Sequence, residues 1–476
     1  MTLARLVMPA LRASADGGFA LEAGRIARAI ELGVGGFIIF GGSADAVRQL
    51  TRELVERAGR PLLIGSDLER GAGQQFAGLT EFPPPRALAA LDDLNDIATA
   101  AAVTAREARS VGVNWVFAPD ADLDILPSNP IVQTRSFGDD PARVAQCVRV
   151  WVEACEYSGA LACAKHYPGH GRTATDSHAG LPVVAESAAE LAVSDVLPFE
   201  AAIAARVASI MTAHVAYPAL DPSGAPATRS SAILGALRRE KRFDGLIVTD
   251  ALIMEGATAG RSEVEGVVEA IAAGVDILLY PHDMEAVVAA LDAAARTGRI
   301  PAARAADALT RYGHALAQVA RPAEAPAPGA AAASSMADRL LAHGMQGGAL
   351  PPLRAPIELV VVDDDLGGPY APSPSDWVER ALAAKGLAGP GGSRIVLVFA
   401  EPRAWKGRAG LGAGALARLD EARGADLIVL FGHPRLAAEL PAGVPVLIAW
   451  HRQRLMQEAV ARWISRQSLR GAAPRG

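Results

Sequence analysis

The chain reads as an α/β protein: a (β/α)8 TIM-type barrel over residues 1–320, a Pro/Ala-rich linker at 321–335, and a smaller doubly wound α/β domain at 336–476. Three observations predict this. Short apolar runs alternate with amphipathic stretches through the first two-thirds of the chain, the pattern of parallel βαβ units. About eight such units fit before residue 320, the number a closed barrel needs. Beyond residue 335 a second, shorter series of apolar runs alternates with helical stretches, as in a small open sheet wound on both faces.

In chain order, the strand candidates are 36–40, 61–65, 113–117, 160–164, 209–213, 245–249 and 276–280, each too short for a helix and bounded by turn or polar residues. Helical periodicity falls between them at 44–58, 96–111, 141–157 and 264–273. The stretch 321–335 is rich in Pro and Ala with little periodicity, hence a linker. After it, 357–362, 394–399, 426–430 and 445–449 are apolar strands. Their turns are Gly-rich, but no G-x-G-x-x-G directly follows a strand, so nucleotide binding has little support. Asp363-Asp364-Asp365 could attract a divalent cation, but such a run is more often a solvated loop, which is the expectation here.

Composition narrows the function. With 476 residues the chain exceeds one core, and 51% hydrophobic with 21% charged residues describes a soluble globular protein. A net charge of -6 leaves no basic footprint for nucleic acid. Cys147, Cys155 and Cys163 lie in or beside apolar segments and read as reduced core thiols. Residues 1–9 lack the apolar core and cleavage site of a leader, and no later stretch is apolar for long enough to span a bilayer, so the cytoplasm is the expected compartment and no membrane partner is expected.

The chemistry concentrates in Lys165-His166-Tyr167-Pro168-Gly169-His170-Gly171, followed by Asp176-Ser177-His178. Three of the nine histidines sit in one Gly- and Pro-interrupted segment just past an apolar strand, where barrel enzymes keep their sites. Asp176 and His178 are two residues apart, close enough for a carboxylate to receive one imidazole N–H and leave the other nitrogen for proton transfer. A lone loop histidine is usually structural; a cluster with a lysine and an aspartate weighs toward a site. His166 and His170, four apart, have the spacing of zinc ligands on a helix, with Asp176 and His178 as further ligands, but Pro168 and Gly169 between them argue against a helix, so no metal or cofactor is expected.

Other strand ends carry polar residues of similar use: Asp67, Asp122 with Asp124, His214 and Asp250. Each acidic one can equally be a helix cap. Their repetition at one end of a barrel points to a shared pocket.

These residues carry a resemblance. The Lys165 to Gly171 segment with Asp176-Ser177-His178 is similar to the signature of the β-N-acetylglucosaminidase branch of glycoside hydrolase family 3. So, in family order, are residues 33–40, Phe117-Ala118-Pro119, Asn129-Pro130 with Arg135-Ser136-Phe137-Gly138, Met211-Thr212-Ala213-His214, Pro226-Ala227-Thr228, and Phe243-Asp244-Gly245 with Thr249-Asp250. The resemblance implies a retaining exo-hydrolase that releases GlcNAc from peptidoglycan turnover fragments or chitin-type oligosaccharides. It implies Asp250 as nucleophile, His178 as acid/base oriented by Asp176, and sugar contacts at Asp67, Arg135, Lys165, His166 and His214. Retaining glycosidases ordinarily use two carboxyl groups. A histidine can replace the second, because a pKa of about 6.5 lets it donate a proton and then take one from water.

The chain departs from the family pattern where Ala72 and Gln75 stand at usual arginines, Arg70 stands at a usual glycine, and Ala251 follows Asp250. These changes bear on substrate identity and leave the catalytic pair in place. Two alternatives share the residues: a β-N-acetylglucosaminide phosphorylase, since a neutral histidine does not repel phosphate as a carboxylate would, and a sugar-binding protein that has lost turnover.

Overall fold

The computed structural model describes residues 2–174, 180–258, 260–320, 329–368, 372–420 and 423–471. The chain divides into two compact units. One comprises Met1–Thr80, Ile97–Leu126 and Ser136–Gly329; the other comprises Glu81–Asp96, Pro127–Arg135 and Ala330–Gly476. The second unit therefore takes in two stretches that the sequence reading placed in the barrel. Its last segment opens with the helix Ala330–Ala342, which starts inside the stretch read as a linker; residues 321–328 of that stretch lie outside the described residues.

The first unit is a curled, parallel α/β sheet. Its strands are β1 (Val7–Met8), β2 (Ala10–Arg12), β3 (Gly36–Phe40), β4 (Leu63–Ser66), β5 (Trp115–Val116), β6 (Leu161–Tyr167), β7 (Ser209–Thr212), β8 (Leu246–Thr249) and β9 (Leu278–Leu279). β2 through β8 pair in sequence order. β1, set off from β2 by Pro9, pairs with β9, and Val248 of β8 bridges to Ile277, so the pairing runs on from β8 through β9 to β1. β1 and β2 were missed from sequence because Pro9 breaks the apolar run in two; Pro has no N–H to give a ladder.

Local signals set the helices around this sheet. Ala44–Ala58 starts on Ser43, whose side chain accepts from the N–H of Ala46, stops at left-handed Gly59, and buries Val47, Leu50, Thr51 and Leu54 along one stripe. Pro141–Tyr157 starts on Asp140 with Pro141 in its first turn, and buries Val144, Cys147, Val148, Trp151 and Cys155. The sheet interior is packed closely enough to need a glycine. A Cβ on Gly65 would stand 2.4 Å from the Phe117 ring. Beside it, Trp115 donates its indole N–H to Ser209 Oγ at 2.8 Å. Because side chains alternate along a strand, the positions two beyond Gly65, Cys163 and Val248, namely Asp67, Lys165 and Asp250, leave the carboxyl ends of their strands on one face. All three cysteines are buried and free.

The second unit holds β10 (Met345–Gln346), β11 (Glu358–Asp363), β12 (Arg394–Ala400), β13 (Leu427–Gly432) and β14 (Val446–Ile448), in the order β10-β14-β13-β12-β11. β11 to β14 are parallel and β10 is an antiparallel edge. Both faces are covered. Ile395, Leu397, Phe399, Val429 and Phe431 pack with Leu340, Val378, Leu382, Met456 and Val460 on one side. Val396, Val398, Ile428 and Leu430 pack with Leu411, Ala415, Leu419 and Leu436 on the other. The Asp363-Asp364-Asp365 run is not the solvated loop expected. Asp365 is 1% exposed and pairs with Arg452 and Lys406, while Asp364 pairs with Arg408. No helix among the described residues is long and apolar enough to cross a membrane.

Candidate active site

The carboxyl end of β6 organises the site. All seven of its residues are buried, and its ladder to β7 shifts register between Ala164 and Tyr167. The Lys165–His166 and Tyr167–Pro168 peptide bonds are cis. Neighbours in sequence, Lys165 and His166 both engage acidic groups that follow other strands of the sheet. Lys165 Nζ lies 2.7 Å from Asp67 Oδ1 and 2.7 Å from Glu69 Oε1. A lysine only 2% exposed requires such partners. Asp67 keeps 32% of its side chain accessible, so one face of this ion pair is open to a ligand.

His166 stands between two carboxylates. Its Nδ1 is 2.7 Å from Asp122 Oδ2, and its Nε2 is 3.9 Å from Asp250 Oδ2. Burial alone would lower the His166 pKa, but Asp122 and then Asp250 outweigh it and raise it, favouring the imidazolium. Asp122 is fully buried; burial pushes its pKa up, and His166 with the N–H of His170, which donates to Oδ1 at 2.6 Å, brings it below the usual range. His170 behaves oppositely. Burial takes it down to about 4, so it is neutral, with Nδ1 on Thr173 Oγ1 at 2.7 Å.

Asp250, just past β8, accepts the N–H of Ala251 on Oδ1 at 2.7 Å and retains 19% side-chain exposure. Burial raises its pKa, yet His166, first among its cationic and donor neighbours, brings it below the usual value, so the carboxylate is ionised. His214 is fully buried, and burial lowers its pKa. Neutral, it has Nε2 3.2 Å from the Ala251 carbonyl oxygen and Nδ1 2.8 Å from Thr228 Oγ1. It touches the backbone that carries Asp250.

The structure thus brings together Asp67, Lys165, His166, His214 and Asp250. Arg135 belongs to the second unit, in the short turn Gln133–Arg135, where its Nη1 meets Ile131 O at 3.3 Å. Asp176 and His178 lie outside the described residues. Sequence reasoning passed over Glu69, Asp120 and the part played by Thr228, and took Asp122 as an acidic position near the pocket with a structural role equally open. The Asp120-Ala121-Asp122 alternation after a strand was a usable signal, because residues two apart leave a strand on one face. Asp120, Asp122 and His166 each bring one donor atom within 4.8 Å of the others, the nearest approach to a cation site among the described residues; the His166–Asp122 bond already uses the imidazole nitrogen on that side.

Residues 24–314 match the family model described as the glycosyl hydrolase family 3 N terminal domain. A β-N-acetylglucosaminidase/β-glucosidase of Cellulomonas fimi is 36% identical over 279 residues, which cover 56% of this chain and 49% of that protein. A β-hexosaminidase of Thiobacillus denitrificans is 36% identical over 272 residues, covering 54% of this chain and 75% of the relative. Over 98% of this chain and 96% of its own, a glycoside hydrolase family 3 β-N-acetylglucosaminidase from Paenibacillus sp. superposes with a TM-score of 0.82 at 27% identity.

Proposed function

The chain belongs to glycosyl hydrolase family 3, and from that membership and the geometry at the sheet's carboxyl edge we propose that it is a retaining exo-β-N-acetylglucosaminidase. Its substrates are terminal β-linked GlcNAc units of peptidoglycan turnover fragments or chitin-type oligosaccharides. The curled sheet is proposed to be a (β/α)8 barrel whose mouth receives the sugar.

The observation that carries the reading is the state of Asp250. It is an ionised carboxylate, held on one oxygen by the Ala251 N–H, with the other facing the His166 ring, 3.9 Å from Nε2. That is the state a nucleophile needs. Asp250 attacks the anomeric carbon as the glycosidic oxygen takes a proton from His178, giving a covalent glycosyl-enzyme and a neutral imidazole that Asp176 orients. Water then gives a proton back to His178 and attacks the same carbon, releasing the sugar with retained configuration. Asp67 and Lys165 meet the hydroxyls. His166 bonds Asp122 through Nδ1 and turns its Nε2 toward Asp250, and His214 fixes the Asp250 turn.

Release of p-nitrophenol from the aryl β-GlcNAc and β-glucoside tests this. GlcNAc-selective release that needs Asp250 is expected. Acceleration by phosphate would identify a phosphorylase, and no release from either sugar would point to a binding protein without turnover.

A further inference from the structure

One wall of the mouth carries three side chains that this reaction leaves unused. Arg12 ends β2, Phe40 ends β3, and Tyr280 follows β9; all three are half-buried. Arg12 and Phe40 are paired rungs, and Ile38 of β3 pairs with Gly65 of β4, so the residues two further on, Phe40 and Asp67, leave their strands on the same face. The Arg12 guanidinium lies 4.6 Å over the Phe40 ring, whose centroid is 5.8 Å from that of Tyr280. Tyr280 sits at φ +50°, a conformation uncommon for a bulky residue and met mostly at functional sites. Its N–H is anchored on Met8 O at 2.9 Å.

Pairing order places this wall. From β2, one direction passes β3, β4 and β5 to β6; the other, through β1, passes β9, β8 and β7 to β6. Arg12 is therefore across the mouth from Lys165, just as Asp67 is across from Asp250. A pyranose with its anomeric carbon at Asp250 and its far hydroxyls at Asp67 turns one edge to Lys165 and the other to this wall. Gln75, on the same side, ties its carbonyl back to Gly41 N at 3.1 Å. A guanidinium stacked on an aromatic face is pre-oriented and only donates.

We infer that Arg12, bedded on Phe40 beside Tyr280, is a specificity-determining contact that donates to an acceptor oxygen on the sugar edge facing away from Lys165. The inference rests on the reading that the mouth holds β-GlcNAc. That edge carries either the acetamide carbonyl or the C6 hydroxyl, and a substituent-deletion cycle separates them.

Wild type, Arg12→Ala, Arg12→Lys and Phe40→Leu are compared on p-nitrophenyl β-GlcNAc, its 6-deoxy analogue and the β-glucoside, with thermal unfolding of each variant. Arg12→Ala is expected to raise KM for β-GlcNAc by about 10- to 100-fold while kcat changes by less than about threefold, the pattern of lost uniform binding. The penalty for deleting the partner oxygen, seen in wild type, should vanish in Arg12→Ala for one analogue. Arg12→Lys, which keeps the charge without the fork, and Phe40→Leu, which removes the bed, should fall between. An unchanged KM with both deletion penalties intact overturns the inference and leaves the proposed function standing. A wild type that releases neither sugar overturns the function itself.

Discussion

Charged side chains gather at the carboxyl edge of both parallel sheets, but they are arranged differently. In the second unit Arg452, 1% exposed, bonds Asp363 at 2.9 Å and Asp365 at 2.7 Å; Lys406 bonds Asp365 at 2.6 Å, and His451 bonds Glu401 at 2.7 Å. There acids and bases are matched and sealed. In the first unit Asp67, Glu69, Asp120, Asp122 and Asp250 gather about Lys165 and His166, a surplus of acids among the described residues, and Asp67 and Asp250 keep open faces. Matched, buried charges fix a fold without meeting anything else. A surplus beside accessible oxygens attracts cationic and donor groups, which is what a sugar's hydroxyls and an oxocarbenium-like transition state offer.

The largest effect should come from the open cluster. Asp250→Ala is expected to lower kcat/KM on the aryl β-GlcNAc by on the order of 10⁴-fold or more, with little change in thermal stability. An active Asp250→Ala protein would dissolve the contrast. The sealed cluster should respond the other way. Arg452→Ala is expected to destabilise by about 3–5 kcal/mol, since it leaves Asp363 and Asp365 buried with less compensation, while kcat/KM per folded molecule is unchanged. If activity fell and stability held, the second cluster would be a site too.

A smaller effect separates positioning from packing within the first cluster. Asp122 is the largest of the groups that raise the His166 pKa against burial, so Asp122→Asn should lower that pKa and move the alkaline limb of kcat/KM to lower pH. A loss of activity equal at every pH would reduce Asp122 to a packing role. The smallest effect concerns a carboxyl group among neutral donors. Glu156 accepts the N–H groups of Ala162 and Ala208 and the Gln318 amide, and burial raises it from 4.5 to about 7. Between those values the folded state holds a proton that the unfolded state has lost. Wild-type stability should therefore fall as pH rises from 4.5 to about 7, by up to about 1.4 kcal/mol per pH unit, and Glu156→Gln should flatten that slope in urea titrations.

Much of this was legible in the sequence where one local signal sufficed. The helices at 44–58 and 141–157 carried caps and stripes that fixed both ends. The strands before Asp67, Lys165 and Asp250 were continuous apolar runs. What escaped depended on partners distant in sequence. Nothing near Glu69 announces that it meets Lys165, nothing in Asp363-Asp364-Asp365 announces Arg452, and Glu81–Asp96 joins the second unit through tertiary contacts such as Gln453 Nε2 to Phe82 O at 2.7 Å. β1 and β2 escaped because Pro9 cuts one strand into two pieces, each below the length at which periodicity can be read.

The most direct test is to trap the intermediate. The enzyme is incubated with a 5-fluoro analogue of an activated β-GlcNAc glycoside, which slows breakdown of a glycosyl-enzyme, and the labelled peptide is mapped by mass spectrometry. A single sugar ester on Asp250, absent from Asp250→Ala, is the predicted result. A label on another residue, or turnover that releases the inverted anomer with no label, would contradict the account.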